Sequence, residues 1–334
     1  MRIKRFFKIF LTTIIFITLI LFLYLFVGKV SPAKKITWGV TFSQKHSHDL
    51  GLDWRENYLA ILDDLGVKNI RLIAYWDLLE PQNGQYNFED LDWQVKEASS
   101  RGVKTSLVIG IKVPRWPECH VPEWAKGFNK EQQQEGVLAL DKEIVLRCKD
   151  YPNIDYWQVE NEPFFPFGNC PWFDFGFIKK EIRYVKSLDP SRQILITESG
   201  EWSPWVLAGA LGDKVGTTMY QKIYFSQLKR YVDYKLPPIF YWRKAQVVKK
   251  LFGKEVITIE LQAEPWGPKL IYDTSLKEQA KTMNLQQFKK NIEFAKNTGL
   301  REFSLWGVEW WYWMKTKHSN PDIWDEAKTL FVDH

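Results

Sequence analysis

The chain has 334 residues, 45% of them hydrophobic and 26% charged, a composition that excludes a disordered or fibrous protein and suits one large domain or two small ones. Its net charge of +6 is unevenly placed: residues 1–35 carry seven of the 46 Lys and Arg and none of the 40 Asp and Glu, leaving 39 basic against 40 acidic residues in the remainder. A body so nearly neutral offers no general field to a polyanion, so no nucleic-acid partner is expected.

In chain order, the basic stretch MRIKRFFK (1–8) is followed by residues 9–28 without a charged side chain. Twenty residues at the helical rise reach about 30 Å, the thickness of a bilayer's hydrocarbon core. The run is longer than a secretory signal needs and no small-x-small cleavage site follows it, which favours a single-pass signal anchor; a cleaved signal, releasing a secreted protein, is the alternative. Arg2, Lys4, Arg5 and Lys8 favour a cytoplasmic N-terminus, opposed by Lys29, Lys34 and Lys35 on the other side. Residues 29–35 read as a linker and residues 36–334 as one catalytic domain.

Eight apolar, β-branched runs follow, at 36–42, 69–76, 104–111, 154–160, 193–199, 214–220, 255–261 and 302–308, with helical spacing between them. Eight strand-helix units over about 300 residues predict a (β/α)8 TIM barrel. A doubly wound sheet would carry a glycine-rich loop after its first strand, where this chain has TFSQKHSHDLG. Of three cysteines, Cys119 and Cys170 fall in loops on the same barrel face and are candidates to pair; none fits a zinc spacing.

The carboxyl ends of barrel strands carry function. The fourth strand, IDYWQVENEPFF, ends abruptly in Glu160, Asn161, Glu162 and Pro163, and the seventh, VITIELQAEPWG, places Glu260 at the same face. Two carboxylates from opposite staves can meet across a cleft, and cleavage of a glycosidic bond needs such a pair: a protonated donor to the leaving oxygen and an ionised nucleophile or base.

These residues make the chain resemble the clan A glycoside hydrolases, the 4/7 superfamily of retaining enzymes, with a family 5 cellulase-like protein or a close relative as the nearest type. The resemblance implies that Asn161 and Glu162 are the Asn-Glu pair ending strand four, with Glu162 as acid/base, and that Glu260 is the nucleophile. It places Arg71, on IRLIAYW, near that nucleophile. It also likens WDLLEPQNGQYNFEDLD to the clan's segment after strand two, and assigns Tyr220 and Trp306 to the sugar site. No histidine stands on strand three or just before Tyr220, where cellulase-like members often carry one.

The chemistry of the residues fits those roles. Glu162 needs a raised pKa, which Trp157 and Trp172 could give by desolvation, and Glu260 needs a guanidinium and a phenol to stay ionised. Asn161 can bond a sugar 2-hydroxyl. Of 17 tryptophans, eleven lie in or beside the strand-to-helix loops. Trp116, Trp266 and Trp306 are the candidates for stacking on pyranose rings, and others pack the loops together. Glu160 is expected to point into the barrel against a base, and Glu264 ranks behind Glu260 because it lies beyond the strand end. Glu80, Glu198 and Glu201 read as loop or supporting groups. His120 either reaches sugar hydroxyls or decorates its loop. His46 and His48 lack a third ligand at metal spacing.

The expectation is therefore a membrane-anchored, extracytoplasmic, retaining β-glycoside hydrolase acting on an oligo- or polysaccharide, without cofactor or metal. A non-catalytic glycan-binding barrel and a transglycosylase on the same site are the alternatives. Sugar, linkage, endo or exo action and oligomeric state stay open.

Overall fold

The computed structural model describes residues 2–332, with side chains from Phe6 onward; Met1, Asp333, His334 and the side chains of the basic Arg2, Lys4 and Arg5 lie outside the described residues. The strands are β1 (Thr37–Thr41), β2 (Asn69–Ile73), β3 (Lys104–Ile109), β4 (Ile154–Val159), β5 (Gln193–Glu198), β6 (Lys214–Met219), β7 (Lys222–Phe225), β8 (Arg230–Asp233), β9 (Val256–Gln262) and β10 (Glu302–Trp306). Eight of them close a parallel barrel in the order β1-β10-β9-β6-β5-β4-β3-β2. All eight anticipated strands are present within two or three residues of their expected ends. The sequence reading missed the antiparallel ribbon β7–β8, which turns at Lys229 in a left-handed conformation and stands in the loop after β6.

Strand alternation sorts the side chains into two layers. Outward residues such as Leu72, Leu107, Trp157, Ile196 and Phe303 join the large core between strands and helices. Inward residues form small separate clusters, Ile73 with Val108, and Leu195 with Ile257 and Ile259. Polar Arg71 and Gln158 share the inner face and are bonded to each other, Nε to Oε1 at 2.8 Å. Burying so large a cation is tolerable only with partners on every side, and those partners define the mouth.

A helix spans Arg2–Phe26 ahead of the barrel, with an apolar stretch Phe6–Phe26 that makes almost no contact with the rest of the chain. Its last turn touches the barrel, where Phe26 packs on Phe240 at 5.3 Å between ring centroids and Arg243 lies over the Tyr24 ring at 4.7 Å.

Candidate active site

The chain stops being a strand at Val159 because two residues beyond it leave the extended region. Glu160 has φ 59° and Glu162 has φ 44°, left-handed values that are uncommon for residues with a Cβ and are maintained only where surroundings hold them. Here the Glu160 N–H bonds Ile109 O at 2.9 Å and the Glu162 N–H bonds the Thr197 hydroxyl at 2.7 Å. Lys112 reaches in from the loop after β3 and donates to the carbonyls of Glu162 and Phe165, both at 2.9 Å. Pro163 then removes the N–H that a continuing strand would need.

Arg71 organises the floor of the mouth. It is 1% exposed and donates to Glu260 Oε1 at 3.0 Å, to Asn161 Oδ1 at 2.8 Å and to Gln158. Tyr220 donates its hydroxyl to the other oxygen, Glu260 Oε2, at 2.9 Å. The Glu260 carboxylate is thus gripped at both oxygens, one by a cation and one by a phenol, which fixes its plane. Glu162 stands in the opposite setting. Burial pushes its carboxyl well above the ordinary range and the charge of Glu260 adds to this, with Lys112 pulling the other way. Among the described residues its side-chain hydrogen-bond partner is the Thr218 hydroxyl at 3.5 Å. The structure therefore brings Arg71, Asn161, Glu162, Tyr220 and Glu260 together.

The desolvation of Glu162 does not come from the tryptophans expected to supply it. Trp157 faces outward, its indole N–H donating to Asp189 at 3.0 Å, and Trp172 bonds Gln133 at 2.7 Å behind the fourth strand. Glu160 does not enter the barrel against a base either. It turns outward and accepts the N–H groups of Ile111 and Lys112, beside Glu181 and Asp141, and burial raises all three carboxyls, Glu160 to about 7.

The stacking candidates separate. Trp116 is 53% exposed and Trp266 half-buried; they meet through Phe167, at 6.2 and 6.0 Å between centroids, and Trp266 continues edge-on to Tyr220 at 4.9 Å. Trp306 is buried beside Tyr220, with the Arg115 guanidinium 4.0 Å from its ring centroid. Trp76, Trp205, Trp310 and Trp311 are core residues. His120 is committed within the protein: Nε2 faces Arg115 O at 3.1 Å and Nδ1 faces Lys45 Nζ at 3.0 Å. Only a neutral ring, protonated at Nε2, satisfies both, and burial with the Lys45 charge holds its pKa near 3.

Three groups described at the mouth, Glu118, Arg115 and Glu309, were not singled out from sequence. Glu118 is buried, accepts from Asn161 Nδ2 at 3.1 Å, and is pushed up to about 7 by burial despite Lys112 nearby. Glu201, expected as a loop or supporting group, accepts from the Tyr220 N–H and the Tyr241 hydroxyl, both at 2.8 Å. Arg115 bridges Glu264 and Glu309. Burial opposes the charge on Glu264, yet Arg115 and His46 outweigh it and lower that carboxyl to about 2. His46, Glu264 and Glu309 form a candidate cation cage, but the guanidinium occupies both carboxylates. Cys119 and Cys170 are disulfide-bonded, with Cα atoms 5.1 Å apart, tying the loop after β3 to the loop after β4.

No family model matches the chain. It is 25% identical over 178 residues to the β-galactosidase LacA of Lactobacillus acidophilus, 46% of this chain and 26% of that protein. It is 28% identical over 131 residues to a probable mannan endo-1,4-β-mannosidase A-2 of Aspergillus terreus, 35% of this chain and 31% of that one. The chain thus spans about a quarter to a third of the curated relatives it matches. Among solved structures, a GH5_18 from Bifidobacterium longum superposes with a TM-score of 0.58 at 14% identity, over 82% of this chain and 70% of that one, a likeness of fold.

Proposed function

We propose that this chain, a member of the clan A glycoside hydrolases, is a retaining β-glycosidase held at the outer face of a membrane, with Glu162 as acid/base and Glu260 as nucleophile. One observation carries the reading: two carboxyl groups from the ends of β4 and β9 share a mouth in unlike settings, one buried and driven toward its protonated form and one held at both oxygens by the Arg71 guanidinium and the Tyr220 hydroxyl.

In the first step a Glu260 oxygen bonds to the anomeric carbon as the glycosidic C–O bond breaks, and Glu162 gives its proton to the departing oxygen. Forming the ester cancels the Glu260 charge that raises the Glu162 pKa, so Glu162, now anionic, becomes a competent base at the moment one is required. In the second step Glu162 takes a proton from water, the water oxygen bonds to the anomeric carbon, and the Glu260 ester bond breaks. Arg71 and Tyr220 take back the carboxylate. Arg71 also orients Asn161 toward the sugar's 2-position, with Glu118 on the amide's other side.

The aromatic group Trp202, Tyr234 and Phe225 beside Glu201 offers stacking surface on the Glu162 side of the mouth. This supports an acceptor sugar competing with water, and hence transglycosylation, as the second reading. The disulfide suits an oxidising compartment, and the apolar helix with its free flanks suits a single span.

The test is kinetic. Glu260→Gln should lose turnover of every β-glycoside accepted by the wild type. Glu162→Gln should lose about 10²–10⁴-fold on unactivated glycosides while retaining glycosylation by aryl glycosides whose leaving group needs no proton. Two variants with unchanged activity would refute the assignment.

A further inference from the structure

The loop after β3 does not stay over its own strand. It crosses the barrel end, and Arg115, at φ 84°, pairs with Glu264 after β9 and with Glu309 after β10. Around the closed sheet, β3 and β9 are separated by three strands either way, so this contact spans the diameter of the mouth. The bridge is filled in below. Over the end of β2, the Tyr75 hydroxyl donates to Pro114 O at 3.2 Å and contacts the Ser43 hydroxyl at 2.6 Å. Over β1, the Ser43 N–H bonds Glu309, Lys45 contacts His120 and His46 lies 3.5 Å from Glu264. Over β10, Arg115 covers Trp306. Arg115, Glu264, Glu309 and His46 are each at least nine-tenths buried, so the structure is a packed wall and not a row of mobile surface charges.

That wall closes the half of the mouth above β3, β2, β1, β10 and β9. The half above β4, β5 and β6 holds Glu162, Glu201 and the exposed Trp202. The two halves are not equivalent for a retaining glycosidase. The acid/base marks the leaving-group side, and in an equatorial β-glycoside the sugar's O4 points the opposite way, away from the scissile bond. Resting on the proposed roles of Glu162 and Glu260, we infer that the site is blind at its non-reducing end and takes one terminal sugar: the protein is an exo-acting β-glycosidase whose glycone pocket ends at the Arg115 wall.

The experiment uses the full chain in detergent micelles. Nitrophenyl β-glycosides of glucose, galactose, mannose and xylose identify the accepted sugar, and a reducing-end-labelled β-linked hexasaccharide of that sugar is then followed through its earliest turnover. Free monosaccharide with the labelled pentamer as sole labelled product is expected; labelled dimer or trimer at the same time point overturns the inference and leaves the glycosidase reading standing. Binding supplies an arm independent of turnover. Monocyclic iminosugars of the same four configurations are titrated against versions carrying a further sugar β-linked at O4. At least one monocycle should bind, and the extension should weaken it at least about 100-fold, some 2.7 kcal/mol. Equal binding overturns the inference. Binding with this discrimination but no hydrolysis of any glycoside sinks the hydrolytic reading, and the exo action with it, while leaving the blind one-sugar pocket standing; neither binding nor hydrolysis sinks both. Arg115→Ala should relax the product pattern toward internal cuts, and Arg115→Lys, which keeps the charge but not the two-carboxylate bridge, should do so in part.

Discussion

At the scale of single residues, the proton of Glu162 is set by identifiable neighbours whose effects differ in sign. Burial and the Glu260 charge raise its pKa, Glu118 adds to the rise, and Lys112 lowers it. An acid that must be protonated loses activity as pH climbs through its pKa, so with Glu162 in its proposed role as the acid it should set the alkaline limb of the rate profile. Removing the Lys112 charge with Lys112→Met should move that limb up by roughly one unit, and removing the Glu118 charge with Glu118→Gln should move it down. Opposite displacements in kcat/KM profiles are the expected outcome; a common direction would mean that both substitutions act through loop geometry instead. The residues themselves were partly legible. Glu162, Asn161, Glu260, Arg71 and Tyr220 lie at strand ends, where position in the strand dictates position in space. Glu118 and Arg115 lie in KVPRWPECH, a loop whose path is fixed by partners nearly 150 residues away, which no local pattern encodes. Trp157 shows that strand parity was available: Gln158 faces inward, so its neighbour had to face the helices.

At the scale of elements, β4 is pressed against the helices Lys130–Cys148 and Phe175–Leu188 through three acids, Glu160, Asp141 and Glu181. Burial raises all three, and their mutual repulsion adds to the rise for Glu181. Folded pKa values above the unfolded ones mean that the folded state binds the extra protons. The stability this brings is complete below about pH 4 and is lost as pH rises through the folded values, about 7 for Glu160. Melting temperature should therefore fall between pH 5 and pH 8. Glu181→Gln should flatten that slope and raise the melting temperature at pH 8 by about 3–6 °C, measured by calorimetry. The disulfide makes a separate contribution. It closes a loop of 51 residues, for which chain entropy gives about 4 kcal/mol, so Cys119→Ser with Cys170→Ser should lower stability by that order. Activity should drop as well, since the stapled loops carry Glu118, Arg115 and Glu162. The barrel strands were readable because alternation and β-branching are local signals. The β7–β8 ribbon was not, because KIYF and RYVD lie in one aromatic-rich stretch without a Gly or Asn turn marker, and Lys229 supplies the left-handed residue instead.

At the scale of the whole molecule, the question is what the N-terminal helix does once the chain is made. The 21 residues of Phe6–Phe26 reach about 32 Å as a helix, enough to cross the hydrocarbon core, and present apolar side chains on every side. A cleaved signal would take its apolar stretch away, yet here the last turn is part of the barrel's surface. Phe26 rests on Phe240, Tyr24 lies against Arg243, and a Cβ on Gly28 would come within 2.9 Å of Ile239, which measures how closely the chain passes. Ile239 and Phe240 are 3% and 8% exposed with the helix in place, and cleavage after residue 28 would uncover both. Retention of the span is therefore the outcome that keeps those residues covered, and we expect the protein to stay with the membrane pellet through an alkaline carbonate wash and to show an intact N-terminal segment by mass. Protease added to sealed cells should then degrade the barrel while sparing a fragment that contains the span. Recovery of a soluble extracellular form beginning after residue 28 would instead establish secretion, and in that form Phe240→Ser should improve solubility, whereas in the anchored protein the same substitution should loosen the barrel from its helix and raise proteolysis within residues 29–36.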